Sequence, residues 1–360
     1  MQVLQLVLAD NDFHEMFFEG GVTALHKRYT VQDIAKRAGV TAATVSMALN
    51  NKQGVSAETK QRIVRIANEL GYIPNISARA LVQQRTYTLG LFIPSSPSAF
   101  LDSYFSNILR GITEVATKAG YLVSIVYEDS VHEHLTYRVD GLILTELKGR
   151  DPYVDLFRKF KIPFVSMGKV NDTLPSVDID TQGGIMQAVK YLVSLGHRKI
   201  GFIAGPPKYH YVVNRYRSFK KALHAHGLPL EADWMSVAPN SRAGGRQAVV
   251  RLLKRVRGAP TAFLVCTDLM TVGVIDGLKD LGLDVPHDVS VIGFDDAPYA
   301  ELVQPPLTTI RQDVYLSGKY AARMLIDTLE GKQSTVSVTL PVRLVRRKST
   351  STANDSKIYT

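Results

Sequence analysis

Apolar and polar positions follow two rhythms along the chain, and the change comes near residue 88. Between residues 30 and 73 apolar residues return every three or four positions in short bursts. VQDIAKRA carries them at 31, 34, 35 and 38, and Gly39 interrupts the series. ATVSMALN places Val45, Ala48 and Leu49 on one side, and ETKQRIVRIANELGY lines up Ile63, Ile66, Ala67 and Leu70 before Gly71. That spacing predicts three short amphipathic helices. Thr30, with Asp33 three residues on, resembles a capping box at the start of the first. Residues 74–87, PNISARALVQQRTY, read as a linker with helix potential from Asn75 onward.

From residue 88 short β-rich runs such as LGLFIP, YLVSIVY, GLILT, KIGFIAG, AFLVC and VSVIGF alternate with amphipathic segments such as SYFSNILRGITEVATKAG and IMQAVKYLVSLGH. Such βα alternation predicts parallel sheets covered on both faces. The strands are too many for one compact sheet, so two doubly wound halves are expected. The chain thus divides into an all-α head at 30–73, a hinge helix or linker at 74–87, and an α/β core at 88–348. That core is expected to comprise two doubly wound parallel-sheet subdomains, split near 180 and crossing back near 312 and 333. Residues 1–29 are expected to form a poorly ordered extension and 349–360, STSTANDSKIYT, a polar, frayed tail without heptads. Val22 stands where a compact chain would begin from a non-ATG codon; the intact mass of natively expressed protein tests that start.

Composition sharpens this picture. At 360 residues and 45% hydrophobic content the chain has material for two or three domains and a sizeable core. No run of 18 apolar residues exists, so no membrane span is expected. The start, MQVLQLVLADND, lacks a basic region and turns acidic at once, which makes it a poor secretory signal. The single cysteine, Cys266, excludes an internal disulfide framework and suits a reducing cytoplasm; in AFLVC it reads as a small buried hydrophobe. Net charge is +10, but residues 27–86 hold ten Lys/Arg against three acids, so one sixth of the chain carries +7. Such asymmetry suggests a polyanion partner for that segment, with a solvated helical surface as the plain alternative.

VQDIAKRAGVTAATVSMALN has the physics of a helix-turn-helix. Ala35 is small where two helices must cross closely, and Gly39 can take the positive φ of a tight turn. Ile34, Val40, Val45 and Ala48 are apolar where the pair must pack on a third helix. Thr41, Ala42, Ala43, Thr44, Ser46 and Met47 are then left exposed at the start of the second helix, the end that enters a major groove in this geometry. An ordinary αα-hairpin inside a core is the alternative.

At this point the likeness becomes specific. D-I-A-x-x-A-G-V-T-x-x-T-V-S-x-x-L-N, V-S-x-x-T-K and L-G-Y-I-P-N closely resemble the amino-terminal region of the lactose/purine-repressor family. VDGLIL, LGHRKIGFIAGP, CTD, VSVIGFDD and PPLTTIRQD follow in that family's order, so the resemblance runs from about Thr30 to Lys348. It implies a homodimeric transcription regulator, of repressor type, that binds near-palindromic double-stranded operator DNA under the allosteric control of a small molecule. It further implies a linker helix that forms on DNA, with Leu81 wedged into the minor groove. Asn75 and Arg79 would face phosphate or groove floor, Tyr72 and Asn50 would position the backbone, and Thr30 joins the DNA-contacting set. Where many members carry Arg this chain has Met47, and Ala42 and Ala43 replace a hydrogen-bonding pair. Three residues without a hydrogen-bonding head cannot make bidentate base contacts, so readout is expected to lean on thymine methyls and DNA shape.

Ligands of open α/β sheets bind in the crevice at the carboxyl ends of the strands. The strand-end candidates are Ser95, Ser96, Thr267, Asp268 and Asp295. The resemblance adds Arg215 as the residue that grips the ligand and marks Asp295 as a hydroxyl acceptor, a pair able to bracket a sugar. Phe100, Tyr209 and Tyr211 are candidates to stack on an apolar sugar face. Asp268 reads instead as an N-cap or a cleft salt-bridge partner. The MGK of PFVSMGKV resembles the maltose-type branch, which favours an oligosaccharide or glucoside. The stretch YEDSVHEHLTYRVDGLIL is short by about a helix between the second and third strands.

A sugar-binding transport receptor, sharing the periplasmic-binding-protein-like core, is the first rival; it needs an export signal and has no use for the helix-turn-helix. An enzyme is the second, but no Walker loop, G-x-G-x-x-G or nucleophile elbow is present. His197 and His287 lack metal-ligand spacing and read as a helix-end and a loop residue. Neither cofactor nor metal is expected.

Overall fold

The structure is a computed structural model, which describes residues 29–49, 53–72, 85–93, 103–131, 135, 138–149, 151–256, 258–332 and 336–354. The expectations for residues 1–28 and for residues 74–84 of the linker lie outside the described residues. Contacts divide the chain between Gln83 and Gln84.

The first unit contains α1 (Val31–Ala38), α2 (Ala42–Leu49) and α3 (Ala57–Glu69). Thr30 begins α1 with the reciprocal cap: its hydroxyl accepts from Asp33 N at 3.3 Å, and its own N–H reaches Asp33 Oδ2 at 2.7 Å. Gly39, at φ 65° and ψ 35°, ends the helix in the left-handed region and so makes the turn. Ile34, Val45 and Ile63 are fully buried, and Ala35, Ala38, Ala48 and Ala67 complete a small core. Val40, Leu70 and Tyr72 pack around it.

Among the described residues of the second unit there are twelve strands. The first six are β1 (Thr88–Ile93), β2 (Leu122–Tyr127), β3 (Gly141–Leu144), β4 (Phe164–Met167), β5 (Ser176–Ile179) and β6 (Ile200–Ala204). The rest are β7 (Met235–Val237), β8 (Ala262–Val265), β9 (Ser290–Asp295), β10 (Thr308–Arg311), β11 (Ser337–Leu340) and β12 (Arg343–Val345). Interleaved helices are α4 (Ser103–Lys118), α5 (Pro152–Lys159), α6 (Thr181–Ser194), α7 (His210–Ala225), α8 (Arg242–Arg255), α9 (Asp268–Asp280) and α10 (Val314–Leu329).

The strands form two six-stranded sheets, ordered β11-β5-β4-β3-β1-β2 and β12-β10-β9-β8-β6-β7. Every pairing is parallel except β10 with β12. The inner strands β3, β6 and β8 are buried along their whole length, which is why GLIL, IGFIA and AFLV read as unbroken apolar runs. The second sheet's helices α8 and α9 meet at glycines: a Cβ on Gly273 would lie 1.8 Å from the Arg242 carbonyl oxygen. Edge strand β2 differs, with Leu122 62% exposed. The crossover from β2 to β3 supplies only 3-10 turns among the described residues, beginning at Glu128–Ser130, in place of a covering helix.

The chain passes between the two subdomains three times. Two passages fall after β5 and after β10, near 180 and 312. The third lies between Leu340 and Arg343 rather than near 333, because β11 pairs with β5 before β12 pairs with β10. Residues 85–87, assigned to the linker from sequence, are tied to the core: Thr86 N and Tyr87 N donate to the Asp140 carboxylate at 2.6 and 2.8 Å. The start of the tail is not frayed either. Ser349 is fully buried, its hydroxyl accepting from Thr308 N at 2.8 Å and donating to the Val291 carbonyl at 2.6 Å. Satisfied hydrogen bonds, rather than apolar area, hold this polar segment in place.

Candidate functional site

Two surfaces are candidates for functional chemistry. In the head, Thr41 caps α2: its hydroxyl accepts from Thr44 N at 3.1 Å and lies 2.8 Å from the Thr44 hydroxyl. Thr41, Ala42, Ala43 and Ser46 are exposed, while Thr44 and Met47 are half-buried. No charged residue lies on α2. Positive charge comes from its neighbours, Lys36 and Arg37 on α1 and Lys60, Arg62 and Arg65 on α3. Arg37 is held 3.7 Å from Glu69 in an exposed pair between those two helices. Thr30 spends its hydroxyl in the α1 cap, and half-buried Tyr72 packs on the head's core. The expectations for Asn50, Asn75, Arg79 and Leu81 fall outside the described residues.

The second surface is a cleft at the carboxyl ends of strands from both sheets, enclosing about 910 Å³ of space that is partly open to solvent. Arg215 of α7 and the strand-end residues Thr267 and Asp295 line it together. Arg215 sits on α7 with 5% of its surface exposed. One guanidinium nitrogen lies 3.1 Å from Asp295 Oδ1, another donates to the Cys266 carbonyl, and the plane stacks 3.6 Å above the Phe294 ring. Burial works against this charge, but Asp295 and neighbouring groups outweigh it and raise the Arg215 pKa above its usual value. Gln312, just past β10, donates to Asp295 Oδ1 at 2.6 Å. Asp295 takes a positive φ of 126°, a strained conformation for a residue with a side chain.

Thr267, besides lining the cleft, takes the N-cap role read from sequence for Asp268. Thr267 is the N-cap of α9, accepting from Met270 N at 3.3 Å and donating to Asn240 Oδ1 at 2.6 Å. Asp268 lies inside the helix, fully buried, accepting from Ala297 N at 2.9 Å and the Thr309 hydroxyl at 2.6 Å. Burial pushes its carboxyl up to about 6. Tyr211 reaches the cleft and stacks with Tyr209 at 5.9 Å between centroids, whereas the expectations for Ser95, Ser96 and Phe100 fall outside the described residues. His197 is not a simple helix-end residue: it is buried between Thr261 Oγ1 at 2.8 Å and Ser290 Oγ at 3.0 Å.

Sequence reasoning missed the first-subdomain wall, Glu146 and Asp178, and two neighbours of Arg215 on the second, His210 and Asn214. Glu146, after β3 and with a positive φ of 50°, Asp178 in β5, and His210 and Asn214 on α7 all line the cleft. The strand-end rule could have found Glu146, since it follows GLILT. Asp178 gave no such signal, because it lies within its strand. The walls touch where His210 N donates to the Leu147 carbonyl at 3.0 Å and Lys148 bridges to Tyr209.

Comparison with known proteins decides the family. Residues 30–75 match the model of the bacterial regulatory proteins of the lacI family, and residues 189–350 match a periplasmic binding protein-like domain. Catabolite control protein A of Priestia megaterium is 32% identical over 335 residues, covering 89% of this chain and 99% of that protein. The chain belongs to the lacI family of bacterial regulatory proteins. This lacI-family regulator also resembles two solved structures. The operator-bound dimer of the lac repressor with the anti-inducer ONPF superposes with a TM-score of 0.79 at 30% identity, covering 90% of this chain and all of that one. A complex of the transcriptional regulator CelR with cellobiose gives 0.69 at 31%, covering 89% and 100%. The chain is accordingly a DNA-binding transcriptional regulator, and the transport-receptor alternative finds no support.

Proposed function

We propose that this regulator acts as a homodimeric repressor on a near-palindromic operator, with its grip set by a saccharide bound in the cleft. The observation that carries the reading is α2 itself: a capped helix whose exposed first turn is uncharged and flanked by basic helices. Phosphate contacts then come from the flanking cations, and base readout from Ala42, Ala43 and Met47 with the Thr41, Thr44 and Ser46 hydroxyls. Asn50, Tyr72, Asn75, Arg79 and Leu81 complete the DNA-contacting set. Apolar side chains at Ala42, Ala43 and Met47 favour thymine methyls and shape over bidentate contacts.

Exposed Leu122 and Tyr127 on β2, Val237 on β7 and Leu302, at 79% exposure, offer apolar surface suited to a second copy. The effector pairs with Arg215, Asp295 and Thr267, with Ser95, Ser96 and Phe100 completing that site, and it favours one closure of the two subdomains. No described helix is long and apolar enough to cross a membrane. A cytoplasmic regulator without catalysis fits this set of features.

Selection of operators from random duplexes tests the reading. The expected product is a palindrome with thymine-rich half-sites and salt-sensitive binding. A strong guanine preference opposite Met47 would contradict the readout, and no preference over genomic fragments, with or without sugars, would overturn the function. Effector and operator must change each other's affinity by one common factor.

A further inference from the structure

The two walls of the cleft differ in how their charges are compensated. On the second-subdomain wall Arg215 and Asp295 neutralise each other, and Gln312 adds a donor to Asp295. Arg215 Nε, fully buried there, has no acceptor among the described residues. The first-subdomain wall carries two carboxylates, Glu146 and Asp178, and no described Lys or Arg lines the cleft on that side.

Asp178 is the sharper case. Its carboxylate accepts from the backbone N–H groups of Ile179 and Lys169, yet no described ion pair engages it. Lys169, whose charge also acts on Asp178, is paired with Asp172 at 2.6 Å. Across the cleft stands His210, whose pKa burial lowers despite the attraction of Asp178. A half-buried carboxylate lacking a cation favours a charged donor over a neutral one, because a charge-assisted hydrogen bond is about twice as strong. An incoming phosphate or carboxylate would instead be repelled.

We infer that the cleft selects its effector by charge, with Asp178 receiving a protonated amine, so that amino sugars bind in preference to their neutral parents and to sugar phosphates. This rests on the saccharide reading above and adds a specificity-determining residue to it. Isothermal titration of the full chain tests it with glucose, glucosamine and glucose 6-phosphate, and with cellobiose and the glucosamine disaccharide, at a pH that keeps the amines protonated. The expected order is amine first, about tenfold tighter than the neutral parent, with the phosphate weakest. Asp178→Asn should erase the amine preference, and Asp178→Glu should restore most of it, with melting temperature reporting that both variants fold. Equal or weaker binding of the amines by the unaltered protein overturns the inference while leaving the saccharide reading in place. An amine preference that survives in Asp178→Asn removes Asp178 from the role. If no probe binds while operator selection succeeds, the saccharide reading itself fails and the inference falls with it.

Discussion

The head and the core put their chemistry in opposite places. In the head, the surface expected to meet DNA is exposed, uncharged along α2, and locally satisfied by caps such as Thr41 to Thr44. A core of seven buried residues holds it up. In the second unit the candidate groups are charged and withdrawn from solvent: buried Arg215 is held against an aromatic ring and a backbone carbonyl and pairs with half-buried Asp295. Groups on a solvated surface are individually cheap to change, whereas a buried charge that loses its partner is expensive. The head is therefore fragile in its scaffold and tolerant at its surface, and the cleft is the reverse.

Substitutions can break or sharpen that contrast. Arg215→Ala should have the largest effect, since it strands the Asp295 carboxylate and the Cys266 carbonyl; about 3–5 kcal/mol of core stability should be lost in denaturant melts, together with the effector response. Ile34→Ala should cost about 2–4 kcal/mol by leaving a cavity. A unit with so small a core has little more than that to lose, so operator binding should vanish in gel shifts while the core's melting transition stays put. A milder effect in either case would weaken the contrast.

Asp268 sets an intermediate case with a pH signature. Its folded pKa of about 6 stands above the ordinary 3.8, so the folded state holds the proton more tightly than the unfolded chain. Stability from this group is full below the unfolded value and is lost as pH rises from about 4 to about 6. The loss is on the order of 2–3 kcal/mol. Asp268→Asn should flatten that window in urea titrations, and an unchanged difference between the two proteins across it would refute the assignment. The smallest change belongs to the head's edge: Thr30→Ala removes a cap and should cost about 1 kcal/mol, read as a modest drop in the head's melting temperature.

The sequence made the head legible almost residue by residue, because its periods are short and its turn needs a glycine. Ile34, Val45 and Ile63 could be named as core from spacing alone. In the α/β unit the runs identified strands but not their partners. In LPVRLV only Pro341 and Val342 separate two strands that belong to different sheets, and nothing in its composition shows where the chain changes subdomain. The tail misled for a related reason: STST looks like solvent-facing sequence, yet buried Ser349 and half-buried Ser351 find their partners, Thr308, Val291, Ser290 and Pro286, far along the chain. The cleft was half visible. Strand-end residues of the second sheet were found by rule, whereas Asp178, inside β5, faces the cleft only because the two sheets come together there.

The place of β11 has a consequence for how the protein is made. The first sheet's edge beyond β5 is filled by residues 337–340, translated long after β1 to β5. A nascent chain emerging from the ribosome must therefore carry its amino-terminal subdomain with one margin open until the second subdomain is nearly complete. A stop codon placed before residue 337 would release a product whose first sheet presents an unpaired strand edge, and such edges recruit other chains. Truncation from the carboxyl end should in this way yield aggregates rather than two smaller soluble domains.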